Sequence, residues 1–138
     1  MTGPFPPAPW AIGIGCRQGV VAAEILELLS QAWARLGWSA PPAGTTLCTL
    51  DRKVGEPGLV QAAVTLGLPL VGLEEAALRA ITTPTPSAAT DHGLPPVAEA
   101  AALAACGAPR NPHARLVLPR IQGPGSTCAV ACSGSPTP

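Results

Sequence analysis

Residues 10–37 read WAIGIGCRQGVVAAEILELLSQAWARLG, and this stretch decides the fold. Trp10-Ala11-Ile12-Gly13-Ile14-Gly15 is apolar apart from its glycines and reads as a buried strand that ends in a glycine turn. The period then changes. From about Val20 to Leu36, Val21, Ile25, Leu28, Leu29, Ala32, Trp33 and Leu36 recur at helical spacing and make one apolar stripe. Glu24, Glu27, Gln31 and Arg35 fall on the opposite side, and Gly37 is a plausible stop.

Working outward, residues 1–10 are rich in proline and read as a flexible N-terminal arm. After a Pro/Gly linker at 39–44, Thr45 to Leu50 is a short strand. Asp51, Arg52 and Lys53 leave its end, and Glu56-Pro57-Gly58 opens a second helix. Proline suits the first helical turn, where its missing N–H would have been unpaired anyway. Leu59, Ala63 and Leu66 form that helix's buried stripe, and Gly67 ends it. Leu68 to Val71 is a third strand. Glu74 and Glu75 start a short helix to about Ile81, near the positive end of its dipole. Thr82 to Pro96 reads as loop, Val97 to Cys106 as an alanine-rich helix. Leu116 to Leu118 and Thr127 to Ala131 are two last strands, which pair as a hairpin at one edge or enter the sheet separately. Residues 134–138 read as a flexible tail.

Strands alternating with helices predict an α/β fold. The expectation is a single-domain three-layer sandwich over residues 11–133, Rossmann-like, with a mostly parallel central sheet and right-handed crossovers.

Bulk properties exclude several classes. The chain has 138 residues, 12% of them charged, and a formal net charge of zero. A generic nucleic-acid binder would carry a basic surplus. The apolar runs are too short for a bilayer span, and the start lacks the basic and apolar regions of a signal peptide, so the cytoplasm is the expected location. Five cysteines at irregular spacing (Cys16, Cys48, Cys106, Cys128, Cys132) fit buried free thiols rather than a disulfide framework or a zinc site. No metal and no cofactor are expected.

Because charge is scarce, its placement is informative. In a parallel sheet the carboxyl ends of the strands face one crevice. Arg17 leaves the first strand there, and Asp51, Arg52, Lys53 and Glu56 follow the second. The turn Gly13-Ile14-Gly15-Cys16-Arg17-Gln18-Gly19 joins strand to helix, where free backbone N–H groups favour an anion. Its glycine spacing departs from the dinucleotide fingerprint. Cys16 is expected at the first turn of the helix, in a structural or ligand-contact role. Glu56 either fixes Lys53 or Arg52 or accepts a proton from a ligand, positioning being the favoured reading. His92 and His113 read as surface residues, and no catalytic triad can be assembled.

Five blocks in order resemble a known family. Gly13–Gly19 looks like its G-I-G-C-R-x-G. Asp51-Arg52-Lys53 with Glu56-Pro57-Gly58-Leu59 looks like D-x-K-x-x-E-x-G-L. Leu66-Gly67-Leu68-Pro69-Leu70, Pro84-Thr85-Pro86-Ser87 and Val97-Ala98-Glu99-Ala100-Ala101-Ala102-Leu103 are similar to L-G-x-P-L, P-N-P-S and V-A-E-A-A-A-L. The family is that of the cobalamin biosynthesis protein CobE, equivalent to the C-terminal domain of the larger CbiG. Three positions depart from it: Thr85 replaces asparagine, Pro96 replaces a capping serine, and Pro119-Arg120-Ile121-Gln122 keeps one cation of P-K-x-K.

The resemblance implies a role in making the corrin ring of vitamin B12. Full-length CbiG proteins open the lactone of cobalt-precorrin-5A and release acetaldehyde. By that analogy a hydrolase- or lyase-like step on a precorrin is one reading. A non-catalytic carrier or partner of corrin intermediates is another, and a small anion-binding regulator outside the pathway is a third. The implied partners are a corrin or precorrin intermediate and other enzymes of the pathway. The ligand-binding set is Gly13, Gly15, Cys16, Arg17, Gly19, Asp51, Arg52, Lys53, Glu56, Ser87 and Arg120, with the arginines and Lys53 holding a polycarboxylate.

Overall fold

The computed structural model describes residues 8–84 and 95–134. Ser87 and His92 lie outside the described residues, as do most of the proposed arm and tail. The elements run β1 (Trp10–Cys16), α1 (Ala22–Leu36), β2 (Thr45–Leu50), a 3-10 turn (Asp51–Lys53), α2 (Pro57–Leu66), β3 (Leu70–Leu73), α3 (Glu75–Arg79), α4 (Val97–Ala105), β4 (Arg115–Gln122) and β5 (Ser126–Cys132).

The five strands form one sheet in the order β3-β2-β1-β5-β4. β1 pairs parallel with β2, and β2 with β3. β5 pairs antiparallel with both β1 and β4. The expected mostly parallel sheet is therefore corrected to a mixed one. β4 and β5 have only Gly123-Pro124-Gly125 between them, too little chain for a parallel crossover, so they form a hairpin. That hairpin inserts its second strand beside β1, with Trp10 opposite Cys132 and Cys16 opposite Ser126. Because β4 reverses β5, it runs the same way as β1. The carboxyl ends of β1, β2, β3 and β4 thus still share one edge.

Alternation along β1 sorts the core. Ile12 and Ile14 join Ile25, Leu28 and Leu29 of α1 and Leu59 of α2 in one buried cluster. Ala11 joins Ala100, Ala101 and Leu103 of α4 and Leu78 of α3 in the other. Each fully buried Leu or Ile contributes about 1.5–3 kcal/mol. Val21 was expected in the apolar stripe but is 55% exposed, because it precedes α1 as its N-cap residue. The helix ends at Gly37 with φ 72°, where the Trp38 N–H reaches the Trp33 carbonyl at 2.9 Å. Trp38 itself packs against Trp10 and Trp33, with ring centroids 5.4 and 5.6 Å apart.

Gly13 explains how α4 approaches the sheet. A Cβ at this position would lie 1.9 Å from the Ala98 carbonyl oxygen and 2.9 Å from the Ala102 nitrogen. The first glycine of the G-I-G block is therefore a helix–sheet contact, hidden from any ligand. β3 lies two residues later than expected, because Leu68 and Pro69 close the preceding turn: the Leu68 N–H bonds to the Ala63 carbonyl at 3.1 Å. Residues 8–10, expected in the arm, are held in place. The Ala8 N–H bonds to the Ala105 carbonyl at 2.9 Å and Pro9 accepts from Ser133 at 3.1 Å. Among the described residues, no helix is long and apolar enough to cross a membrane.

Candidate functional site

The charged residues that the sequence gathers into one mouth are divided by the structure among three places along the carboxyl edge.

The first is a cavity of about 340 Å³ between the end of β1, the β4–β5 turn and the start of α4. Gly15 and Cys16 line it from β1, Arg17 from the turn that follows, Arg120 from β4, Ser126 and Thr127 from β5, and Pro96 and Val97 from the head of α4. Gly15 gives room here: a Cβ on it would sit 2.7 Å from Thr127 Oγ1. Gly125 does the same for Arg17, since a Cβ there would lie 2.8 Å from Arg17 Nε and 3.2 Å from Glu24 Oε1. Arg17 is fixed at its backbone, its N–H donating to the Gly125 carbonyl at 3.1 Å. Arg120 is fixed likewise, its N–H donating to Glu99 Oε2 at 3.0 Å. Glu99 is fully buried in the first turn of α4, so the V-A-E block carries a carboxylate that ties β4 to α4 where the ladder is irregular, between Leu118 and Ile121.

The second place is the β1–α1 turn against α2. Gly19, with φ 83°, adopts a left-handed conformation that favours glycine. Its N–H donates to Glu56 Oε1 at 2.7 Å. Gly58 abuts the same turn, where a Cβ would lie 2.1 Å from the Val20 carbonyl oxygen. The Val20 N–H donates back to the Arg17 carbonyl at 3.3 Å. The N–H groups of Arg17, Gly19 and Val20 are thus already engaged within the protein. Glu56 neither pairs with Lys53 nor with Arg52; it holds the turn. Beside it runs a groove of about 300 Å³ lined by Gly19, Val20, Glu56 and Gln61 among others.

The third place is a depression of about 190 Å³ lined by Leu50, Asp51, Arg52, Glu74 and Glu75. Here Arg52 pairs with Glu75, which also accepts from Arg79 at 3.1 Å. Asp51 leans over β3, and a Cβ on Gly72 would meet its Oδ1 at 2.7 Å. Carboxylates outnumber the single arginine in this lining, so it does not suit a polycarboxylate, and Arg52 is diverted from the mouth that the sequence assigns it.

Cys16 ends β1, six residues before α1 begins, so it does not sit in a helix turn as expected. Burial pushes its thiol above the ordinary value, the nearby Lys53 ammonium draws it down, and Glu56 raises it further. Cys106 and Cys128 are pushed up to about 12 by burial, and Cys48 is raised still further for the same reason. All five cysteines are free. His113 is exposed just before β4, at the opposite end of that strand from Arg120.

The sequence reading sets Ser126 aside as an ordinary loop serine and gives Thr127, Glu99 and the glycines of the β4–β5 turn no place in the site. The signal for Glu99 was present in V-A-E, a lone acid in an otherwise apolar helix. Nothing local marks Ser126; only the hairpin register brings it opposite Cys16.

The cobalamin synthesis G C-terminus family matches residues 10–131. A similar solved structure is CobE, a protein from the cobalamin (vitamin B12) biosynthetic pathway. It is 32% identical with a TM-score of 0.78, over 95% of this chain and 97% of that one. Another is the cobalamin biosynthesis protein chiG from Agrobacterium tumefaciens str. C58, 35% identical with a TM-score of 0.69, over 91% and 99% of the two chains. Among curated proteins, the cobalt-precorrin-5A hydrolase of Priestia megaterium is 34% identical over 83 residues, 60% of this chain. The chain spans 22% of that relative's length. The chain belongs to the cobalamin synthesis G C-terminal family.

Proposed function

We propose that this member of the cobalamin synthesis G C-terminal family binds a carboxylate-rich, precorrin-stage intermediate of the corrin ring at the carboxyl edge of its sheet. The observation that carries the reading is the cavity whose lining includes both Arg17 and Arg120, in a protein of zero net charge. Guanidinium groups pair with carboxylates through parallel hydrogen bonds. Neither Arg17 nor Arg120 makes a side-chain ion pair among the described residues, whereas Arg52 does. Single exposed pairs contribute little, so affinity comes from several cations together with contact against the flat face of the ring. The work fits a cytoplasmic protein that hands its ligand to other enzymes of the pathway.

A second reading, a hydrolase- or lyase-like step, is favoured by the similarity to a cobalt-precorrin-5A hydrolase. The two readings part in one experiment. The purified chain is titrated with hydrogenobyrinic acid by absorption spectroscopy, and incubated with cobalt-precorrin-5A while released acetaldehyde is assayed. Saturable binding that weakens about tenfold or more in R17A and R120A, but stays unchanged in R52A, supports the binding site. Acetaldehyde release by the wild type would move the conclusion to the enzyme reading. No binding by the folded wild type removes the site assignment.

A further inference from the structure

We infer that the ligand is gripped at two points across the strand ends: one carboxylate meets Arg120 and the Thr127 hydroxyl on the α4 side of the sheet, and a second meets Arg17 on the α1 side. The inference deepens the binding reading above and rests on it for the identity of the ligand.

Alternation along β5 defines the two sides. Cys128 and Val130 belong to the cluster that packs on α1, and Ala131 to the cluster that packs on α4. Thr127 therefore faces α4. A Cβ on its partner Gly15 confirms this, since it would lie 2.7 Å from Thr127 Oγ1 and 3.7 Å from Val97 Cβ. Arg120 falls on the same side. Leu118 and Ile121 both join the α1 cluster, and the register shift between them leaves Pro119 and Arg120 together opposite Ala129. Arg17 goes the other way. Its Nε and Glu24 Oε1, which belongs to α1, would lie 2.8 and 3.2 Å from one Cβ built on Gly125. The cavity lined by all of these passes over the strand ends between the two sides.

Thr127 is the donor that the α4 side adds. Its Oγ1 reaches the Gly15 carbonyl only at 3.5 Å, beyond the usual range of a hydroxyl hydrogen bond. The two buried threonines of the sheet differ: Thr45 Oγ1 donates to the Pro42 carbonyl at 2.6 Å and Thr49 Oγ1 to the Ile14 carbonyl at 2.7 Å. Thr127 is half-buried and borders the cavity, so its proton is available to an acceptor there. A carboxylate accepts from a hydroxyl and a guanidinium at once. On the α1 side Arg17 offers charge alone, and Glu24 beside it opposes a bound anion.

Size sets the ligand's posture. A volume of about 340 Å³ lies at the low end of the space that encloses a drug-sized molecule. A corrin macrocycle with its fringe of side arms is larger. Its acetate and propionate arms enter, one to each side, and the ring stays outside across the strand ends.

The test is a set of double-mutant cycles on the full chain, with hydrogenobyrinic acid titrated by absorption spectroscopy. Thr127→Val, close in shape, is expected to weaken binding about fivefold, and Thr127→Ser to recover most of that loss. In R120A, Thr127→Val is expected to change affinity less than about twofold, because the carboxylate that both residues hold is already lost. In R17A the full effect of Thr127→Val is expected to persist, because Arg17 holds a different arm. A Thr127→Val effect that shrinks in R17A as much as in R120A overturns the inference, since both arginines then serve one carboxylate. Unchanged affinity in Thr127→Val, or a loss that Thr127→Ser does not recover, also overturns it. All three results leave the binding reading intact. Pimelate, a flexible dicarboxylate, is the second probe, followed at the backbone amides of the isotope-labelled chain. The same pattern among the variants with pimelate, without binding of hydrogenobyrinic acid, leaves the two-point site standing and removes the corrin ligand. Binding of neither probe by the folded wild type overturns both.

Discussion

The two flanks of the β1–α1 turn follow opposite rules. On the α2 flank, groups that the motif blocks supply are used inside the protein: the Gly19 N–H meets Glu56, and Gly58 presses on Val20. On the β4–β5 flank, Arg17, Arg120 and Ser126 surround open space, and the Ser126 hydroxyl is unpaired among the described residues. Both flanks come from the same short turn. The difference teaches that motif residues at one strand end need not share a task. Those facing α2 set the shape of the turn, and those facing the hairpin line an open cavity.

The largest expected effect separates two glycines. In Gly58→Ala the new Cβ meets the backbone oxygen of Val20, which cannot move without displacing the turn, and a stability loss of about 3 kcal/mol is expected. In Gly125→Ala the new Cβ meets the end of the Arg17 side chain, which can swing away. The stability loss there is expected to stay under about 1 kcal/mol, while affinity for hydrogenobyrinic acid falls because Arg17 has been moved. Urea denaturation of both variants checks the contrast, and equal losses would break it.

Glu56 comes next. Glu56→Ala removes the acceptor of the Gly19 N–H and is expected to cost about 1–2 kcal/mol. Glu56→Gln keeps an amide oxygen at the same reach and is expected to recover most of that loss. If Glu56 instead belonged to the ligand site, both variants would leave stability unchanged and weaken the ligand.

Much of this was legible in the sequence. The α1 stripe, the β2 limits and the Gly37 and Gly67 stops follow from local period and cap chemistry. The edge that Arg17 leaves by follows from strand direction in β1, whereas the place of Arg120 on that edge needs the direction of β4, which only the structure gives. The hairpin's insertion beside β1 was not legible, because strand order depends on side chains far apart in sequence. That insertion turns the sheet mixed and brings Ser126 opposite Cys16. Equally illegible were the internal partners of the motif charges. The Glu56 carboxylate and the Gly19 N–H lie 37 residues apart, and Arg52 finds Glu75 across 23. A charge near a strand end looks available until its partner from another element is known.

The Arg52–Glu75–Arg79 group is expected to have a smaller effect still. Its members are substantially exposed, so Glu75→Ala is expected to cost under about 1 kcal/mol and the difference to shrink in high salt. Hydrogenobyrinic acid binding is expected to be untouched by R52A. Weakened binding there would extend the ligand's footprint across to β3 and blur the boundary between the flanks.

The smallest effect is the most diagnostic, because Cys16 sits between the two flanks. Cys16 lines the cavity, yet the charges acting on its thiol are Lys53 and Glu56. Burial raises its pKa, so the neutral thiol predominates at pH 7 and alkylation by iodoacetamide is slow compared with an exposed cysteine. Lys53 lowers that pKa, so Lys53→Ala leaves less thiolate and slows the reaction. Glu56 raises it, so Glu56→Gln yields more thiolate and speeds it. Both changes are expected to be on the order of a few fold, since solvent screens charges of this kind. Hydrogenobyrinic acid should protect Cys16 from the cavity side in the wild type, and less well in R17A at the same ligand concentration. Opposite signs from Lys53 and Glu56, combined with protection that depends on Arg17, would show one thiol reading a fixed electrostatic frame on one side and an occupied cavity on the other. Protection that persists undiminished in R17A at subsaturating ligand would place the ligand on the α2 flank instead, and the contrast between the flanks would fail at its most sensitive point.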